Sequence, residues 1–145
     1  MTHEGMVNAL GEIRRVLVPD GILIDLRPLL EHAPVEIVSA RETQIAGTVD
    51  QLPEDRASDV AADHAITQAE QQGWFVKERE EFFPFNYYWD SPKEAQEYLE
   101  AEWSNSVSVD DDVWRNARSM WAVANADARV RIRWRMLIAR WRKQE

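Results

Sequence analysis

A helix, a tight turn and a short apolar run follow one another near the start of the chain and restrict its fold most. Apolar residues recur at helical spacing and predict an amphipathic helix over residues 4–17. Pro19 ends this helix, and Asp20-Gly21 predicts a tight turn. The run ILIDL at 22–26 is almost wholly apolar, which is typical of a strand covered on both faces. This arrangement predicts an α/β fold with a parallel or mixed sheet.

The rest of the chain predicts further strands and three more helices. VEIVS and TQIAGTV are typical of a hairpin over 35–49. Alternating side chains predict a strand over 74–82, followed by an aromatic cluster that Pro84 interrupts. Four arginines alternate with apolar residues and predict a last strand over 129–141, with one buried face and one charged face. Apolar stripes and start signals predict helices over 56–72, 91–103 and 110–125.

The size and composition of the chain indicate an ordinary globular protein. A chain of 145 residues is long enough to form one domain over 1–145 with a sizeable core. No run of about 18 apolar residues is present, so we expect no membrane span, and MTHEGMVNAL is unlike a secretory signal. The absence of cysteine excludes disulfides and thiolate chemistry and is typical of a cytoplasmic protein.

The charge of the chain is unevenly distributed. The formal net charge is −9, yet residues 128–145 carry six Arg and one Lys against one acid, Glu145. An acidic body repels the phosphates of nucleic acids, so we expect no nonspecific binding to them. The basic end could bind RNA or DNA, or its arginines could pair with acids of the same sheet. We favour pairing with the alternating acids of the strand at 74–81.

The sequence contains no recognisable constellation for catalysis or metal binding. His3, His32 and His64 are far apart along the chain and show no metal-site spacing. The acidic run at 110–112 is typical of a helix start rather than of a calcium loop. No serine stands in a G-x-S-x-G turn. We therefore predict no catalytic residue and no metal ligand.

The segment ALGEIRRVLVPDG at 9–21, with the apolar strand after it, resembles the late part of class I S-adenosylmethionine-dependent methyltransferases of the type 11 kind. There, a helix ending in a similar motif leads into the fifth strand. GWFVKEREEF and RVRIRWRMLIARWRK stand where the last two strands of that family are expected. The resemblance implies an incomplete Rossmann-like fold with a small mixed sheet of strands 22–26, 74–82 and 129–141. Strand 129–141 would be central, and the hairpin at 35–49 would be an insertion.

The resemblance also implies a cofactor and a partner. The family binds S-adenosylmethionine through a glycine-rich turn in its first half, where backbone passes close to the ligand. The five glycines here form no G-x-G, so we expect this chain alone not to bind the cofactor. Without the strand that normally pairs with 22–26, an apolar sheet edge would be exposed. We therefore expect a homodimer or a partner chain to cover strand 22–26.

The aromatic cluster FFPFNYYW at 82–89 is the candidate substrate site. By the resemblance, Arg27, Tyr87, Tyr88 and Trp89 would contact a methyl acceptor. Alternatively, the aromatic residues pack the sheet against the later helices. Three functions remain open: the acceptor-binding part of a methyltransferase, a non-catalytic dimeric binding or regulatory module, and, least favoured, a nucleic-acid binder that uses the arginine strand.

Overall fold

The computed structural model describes residues 2–145 and shows a mixed α/β arrangement. Over these residues, four helices and seven strands follow in the order α1 (His3–Val16), β1 (Ile22–Leu29), β2 (Pro34–Val38), β3 (Thr43–Thr48), β4 (Asp50–Gln51), α2 (Pro53–Gln71), β5 (Phe75–Trp89), α3 (Pro92–Glu102), β6 (Val107–Ser108), α4 (Asp111–Ala122) and β7 (Arg129–Lys143). All four predicted helices are confirmed. None of them is long and apolar enough to cross a bilayer.

The strand β7 joins the other long strands of the open antiparallel sheet. The strand order is β1-β7-β2-β3, and β5 also pairs with β7. The N–H of Lys143 donates to the Gly21 carbonyl, and the N–H of Gln144 donates to the Trp74 carbonyl, both at 2.8 Å. The end of β7 therefore lies beside the starts of both β1 and β5. The short strands β4 and β6 form a separate antiparallel pair.

The predicted pairing of the last strand with both 22–26 and 74–82 is confirmed, but two other features of the predicted sheet are wrong. The sheet is antiparallel rather than mixed. The sheet also contains more than the three predicted strands, because the hairpin at 35–49 joins it: β2 pairs with β7 from Val35–Ile132 to Val38–Arg129. A strand of fifteen residues spans about 50 Å, more than the eight residues of β1 can pair with. The start of β7 is therefore available to β2.

The strand β5 is longer than the predicted segment 74–82, because it continues through Pro84 to Trp89. Proline lacks an N–H and removes one hydrogen bond from a strand ladder. Within residues 2–145, β5 pairs only with β7. Proline within a sheet is found mainly on edge strands, and β5 is such a strand.

The chain divides into two compact units, which are described separately. Unit 1 comprises the chain up to Arg27, Pro53–Phe82 and Leu137–Glu145. Here α1 packs on α2, and the buried cluster consists of Ala69, Phe75, Ala139 and Trp141. No residue of α1 is itself buried, although its apolar residues form the predicted stripe. The buried cluster of unit 1 is therefore small.

Unit 2 comprises Pro28–Leu52 and Phe83–Met136 and has the larger core. The helix α4 packs on β2 and β3, and the side-chain amide of Asn116 donates to the Ala46 carbonyl at 3.1 Å. In this part of β7, the predicted alternation is confirmed. Val130, Ile132 and Trp134 are buried, while Arg129, Arg133 and Arg135 are exposed. The period-two pattern therefore places one face of β7 in the core of unit 2.

Local signals in the sequence explain where α2 ends and α3 begins. Gly73 has a φ of +73°, a left-handed conformation that glycine adopts without steric cost. The next N–H, on Trp74, donates to the Ala69 carbonyl at 2.9 Å and closes the end of α2. Ser91 caps α3 by accepting the N–H of Glu94 at 3.2 Å, and Pro92 occupies the first turn.

Substitution of Gly47 by alanine should destabilise unit 2. A Cβ at position 47 would lie 2.5 Å from Cγ2 of Val113, whose branched side chain has little freedom to move in α4. We expect Gly47→Ala to lower the free energy of unfolding by about 1–3 kcal/mol, as overpacking does elsewhere. Gly11→Ala in α1 is the matched control, since its added Cβ meets only ordinary contacts. Urea denaturation should show a stabilised control, and equal midpoints for Gly47→Ala and the parent would contradict this packing.

Candidate functional site

A cavity of about 330 Å³ in unit 2 is a candidate site for a small ligand. Its walls come from the end of β1 and the residue after it, the second half of β5, the turn after α3 with the start of β6, and β7. The lining residues are Pro28, Leu30, Phe85, Tyr87, Trp103, Ser106, Val107, Trp134 and Met136. The walls are thus mainly apolar, with four aromatic rings.

The aromatic rings of the cavity support one another through edge-to-face contacts. The rings of Tyr87 and Trp103 lie 4.8 Å apart between centroids, at an interplanar angle of 79°. Trp103 also contacts Trp134 at 5.0 Å, and Phe85 contacts Tyr87 at 5.3 Å. Such pairs prefer these tilted and perpendicular geometries. The walls are therefore fixed by contacts between rings that do not depend on a ligand.

The period-two geometry of the strands brings these rings together. Phe85, Tyr87 and Trp89 alternate along β5 and therefore share one face, while Trp134 and Met136 share one face of β7. Trp103 stands immediately after α3, where its N–H still donates to the Leu99 carbonyl at 2.9 Å. The residue spacing thus places aromatic side chains from three parts of the chain around one space.

The polar groups of the cavity are few. Tyr87 and Ser106 are the lining residues that carry a hydroxyl, a group that can donate and accept hydrogen bonds. None of the lining residues is an aspartate, glutamate, histidine, lysine or arginine. The cavity can therefore enclose an apolar ligand and orient one polar group on it. General acid–base chemistry would need groups from elsewhere.

The structure places the three aromatic residues of the predicted acceptor site in different environments. Tyr87 lines the cavity. Trp89 lies behind it, nearly parallel to the Tyr87 ring at 6.1 Å, and also contacts Tyr98. Tyr88 is on the opposite side of β5, 42% exposed, with the Arg129 guanidinium 4.9 Å from its ring centroid. Tyr87 and Trp89 therefore belong to one aromatic cluster, and Tyr88 does not.

Arg27, the fourth predicted site residue, lies in unit 1 and is held by two acids. Its Nε donates to Asp25 at 3.0 Å, and its Nη1 donates to Asp63 of α2 at 2.8 Å. Burial alone would lower the pKa of Arg27, but the hydrogen bond to Asp63 and the charge of Asp25 raise it above its ordinary value. Arg27 thus tethers β1 to α2.

Trp103 and Trp134 are site residues that the sequence analysis did not identify. Both were assigned only to the apolar stripes of a helix and a strand. The signal that could have found them is the high tryptophan content, seven residues in 145, together with the aromatic cluster at 82–89. Their convergence depends on which strands pair, which the sequence pattern alone did not settle.

A second apolar cavity, of about 320 Å³, lies within unit 1 between α1, α2 and β1. Its lining includes Leu10, Ile13, Leu23 and Ile66, which also border the small buried cluster of that unit. In the same unit, the rings of His3 and His64 approach to 6.4 Å, although they are far apart in the sequence. Within residues 2–145, no three histidine, aspartate or glutamate side chains form a group able to hold a metal ion.

The arginines of β7 engage carboxylates, but only partly those that the sequence analysis predicted. In unit 2, Arg131 and Arg133 donate to the buried Glu36 of β2, at 2.9 and 3.4 Å. The hydrogen bond that Arg131 donates to Glu36 raises the pKa of Arg131. In unit 1, Arg140 and Arg142 donate to Glu78 of β5, at 3.0 and 2.9 Å. These ion pairs occupy guanidinium groups that a nucleic-acid surface would need.

Glu78 gives a testable pH dependence. Its hydrogen bond to Arg142, and the charges of Arg142 and Arg140, lower the pKa of Glu78. Its contribution to stability is therefore complete above the unfolded-state pKa, about 4.3, and is lost as the pH falls through the lower folded-state pKa. We expect Glu78→Gln to be less stable than the parent protein at neutral pH and equally stable in sufficiently acidic solution.

The measurement is the urea midpoint of both proteins between about pH 7 and about pH 3, across the range where carboxylates titrate. Glu97→Gln is the matched control, because its carboxylate lies 3.9 Å from Lys93 on an exposed helix surface, where pairs contribute little. A difference between Glu78→Gln and the parent that does not shrink in acid would contradict the assigned role of Glu78.

Comparison with models of protein families, with curated proteins and with solved structures gives no match to this chain. The geometry of the aromatic cavity is therefore the observation from which a function can be argued.

Proposed function

We propose that this chain is the acceptor-binding, C-terminal part of an S-adenosylmethionine-dependent methyltransferase and that the aromatic cavity of unit 2 is its acceptor pocket. The observation that carries the proposal is a cavity of about 330 Å³ with walls of Phe85, Tyr87, Trp103 and Trp134. Small-molecule sites are typically concave and apolar, with a few polar groups that orient the ligand. Tyr87, which the resemblance suggests as an acceptor contact, lines this cavity.

The order of the elements supports the methyltransferase proposal. In the methyltransferase family that this chain resembles, a helix leads to the fifth strand, a further helix follows, and the last two strands form an antiparallel pair. Here α1 precedes β1, α2 separates β1 from β5, and β7 pairs with both of these strands. The finer assignment, an incomplete Rossmann-like methyltransferase fold, rests on this agreement in order and pairing.

The chemistry of the cavity indicates a planar, mainly apolar acceptor. Flat ring faces suit a flat ligand, since offset stacking and edge-to-face contacts are the favoured aromatic geometries. The hydroxyls of Tyr87 and Ser106 can orient one hydroxyl or amine on such a ligand. Trp89 supports Tyr87 from behind. In this proposal Tyr88 and Arg27 have structural roles. The guanidinium of Arg129 lies over the ring of Tyr88, and Arg27 donates hydrogen bonds to Asp25 and Asp63.

The proposal assigns cofactor binding to another chain or segment. The glycine-rich turn that would hold S-adenosylmethionine has no counterpart in this sequence. We therefore propose that the chain alone binds no cofactor. Its cysteine-free sequence is the ground for proposing that it acts in the cytoplasm. A homodimer partner or a different chain would cover the edge of β1.

A non-catalytic binding module is the second candidate. It is favoured by the lining of the cavity, which includes no aspartate, glutamate, histidine, lysine or arginine. A protein that only binds an apolar ligand needs no general base. Both candidates require the same cavity to be a binding site, and they differ in whether a cofactor-binding partner exists.

Binding of a planar aromatic probe tests the cavity. We expect 2-naphthol to quench tryptophan fluorescence in the parent protein and to bind at least ~10-fold more weakly to Trp103→Ala, a loss of about 1.4 kcal/mol. Ser106→Leu is a second variant, since it fills the cavity without removing an aromatic wall. Trp121→Ala is the matched control, because Trp121 is 39% exposed on α4 and lies outside the cavity lining.

Three results would contradict this use of the cavity: no binding to the parent protein, unchanged binding to both cavity variants, or an equal loss in the control. Calorimetric titration with S-adenosylmethionine then separates the two candidates. Heat of binding only when a second protein is added supports the methyltransferase proposal. A reading frame directly upstream that encodes a glycine-rich strand–turn–helix would identify that protein.

A further inference from the structure

The outer edge of β1 has the hydrogen-bonding groups of a strand without a second neighbour. Within residues 2–145, β1 pairs only with β7 and stands at one end of the strand order. The carbonyl of Gly21 points to β7, because it accepts the N–H of Lys143 at 2.8 Å. Successive residues of a strand direct their N–H and C=O groups to opposite edges. Ile22, Ile24 and Leu26 therefore direct theirs to the open edge.

Side chains at this edge are unusually apolar for an exposed strand. Ile24 is 52% exposed and Leu26 is 54% exposed. Natural proteins usually protect an edge with lysine, proline or a bulge. Here Pro28 provides such protection only near the end of β1, where it removes one outward N–H. The segment from Ile22 to Leu26 can still add a strand.

Asp25 and Arg27 supply a self-complementary pair of charges on the other face of β1. Asp25 accepts through Oδ1 from Nε of Arg27, and Nη1 of Arg27 donates to Asp63. These bonds use one oxygen of Asp25 and two of the three nitrogens of Arg27. Oδ2 of Asp25 and Nη2 of Arg27 can therefore serve a second bond each. The two residues flank Leu26, so a two-fold axis at Leu26 exchanges their positions.

We propose that two copies of this chain pair through β1 as antiparallel strands, with the two-fold axis at Leu26. Leu26 then exchanges both of its backbone hydrogen bonds with the partner's Leu26. The N–H of Ile24 donates to the carbonyl of the partner's Pro28, which needs no N–H to accept this bond. Asp25 lies opposite the partner's Arg27 at a non-hydrogen-bonded position, where cross-strand side chains approach most closely.

Charge selects this register over its neighbour. A shift of the partner strand that centres the axis on Asp25 would place two carboxylates opposite each other, which is unfavourable. A helix in place of a strand would leave the outward N–H and C=O groups of β1 without partners. A foreign strand would satisfy those groups but would lack the reciprocal match of Asp25 with Arg27. The second copy therefore fits the edge best.

The test uses the fact that Leu26 faces its own counterpart. By sedimentation equilibrium at tens of micromolar, we expect the parent protein to show twice the 16.9 kDa mass of one chain. Leu26→Lys and Leu26→Glu should each be monomeric, because like charges meet at the axis. An equimolar mixture of the two variants should again form dimers, since lysine then faces glutamate. Far-UV circular dichroism of each variant confirms its folding.

Val123→Lys is the matched control, since Val123 is 85% exposed at the end of α4 in unit 2, and this variant should dimerise like the parent protein. A monomeric parent protein would overturn the proposal. A mixture of the two Leu26 variants that stays monomeric would also overturn it. Dimers formed by mixing Ile24→Lys with Ile24→Glu instead would place the two-fold axis at another residue and would equally overturn it. Dimerisation through β1 does not depend on the ligand of the aromatic cavity. Each of the two proposals can therefore fail while the other holds.

Discussion

Backbone pairing along β7 is the interaction on which the rest of the structure depends. This strand of fifteen residues pairs with β1, β2 and β5, and its last residues bond to the positions just before β1 and β5. The apolar side chains of β7 also belong to the buried cluster of each unit. A break in β7 would therefore remove pairing from three strands at once. The helices depend on the strands in turn, since α4 packs on β2 and β3.

Two acids on strands beside β7 each accept hydrogen bonds from two arginines of β7, so their charges are compensated. Glu36 is 1% exposed, and an isolated carboxylate at such a position would be costly. Arg131 and Arg133 donate to its two oxygens, so the charge is compensated where it is buried. Glu78 has the same relation to Arg140 and Arg142 at a more exposed position. The alternating arginines thus hold neighbouring strands together and make a nucleic-acid surface the least supported function.

Local signals predicted the elements well, and pairing between distant segments limited the rest. Pro19, Gly73 and the Ser91-Pro92 start placed helix ends within a few residues, because these signals act through nearby backbone. The sheet direction and the number of its strands were wrong, because both depend on pairing between segments that lie far apart in the sequence. The aromatic site was predicted in part. Tyr87 was identified from its cluster, whereas Trp103 and Trp134 needed the three-dimensional convergence of α3 and β7.

The charged run in β5 affects how many copies of the sheet can join. The five residues from Lys77 to Glu81 are all charged. Charged side chains discourage a further strand from adding to an edge. Of the two strands β1 and β5, only β1 thus presents an apolar edge. Growth through one self-complementary edge stops at two subunits, whereas two such edges would permit an open fibre.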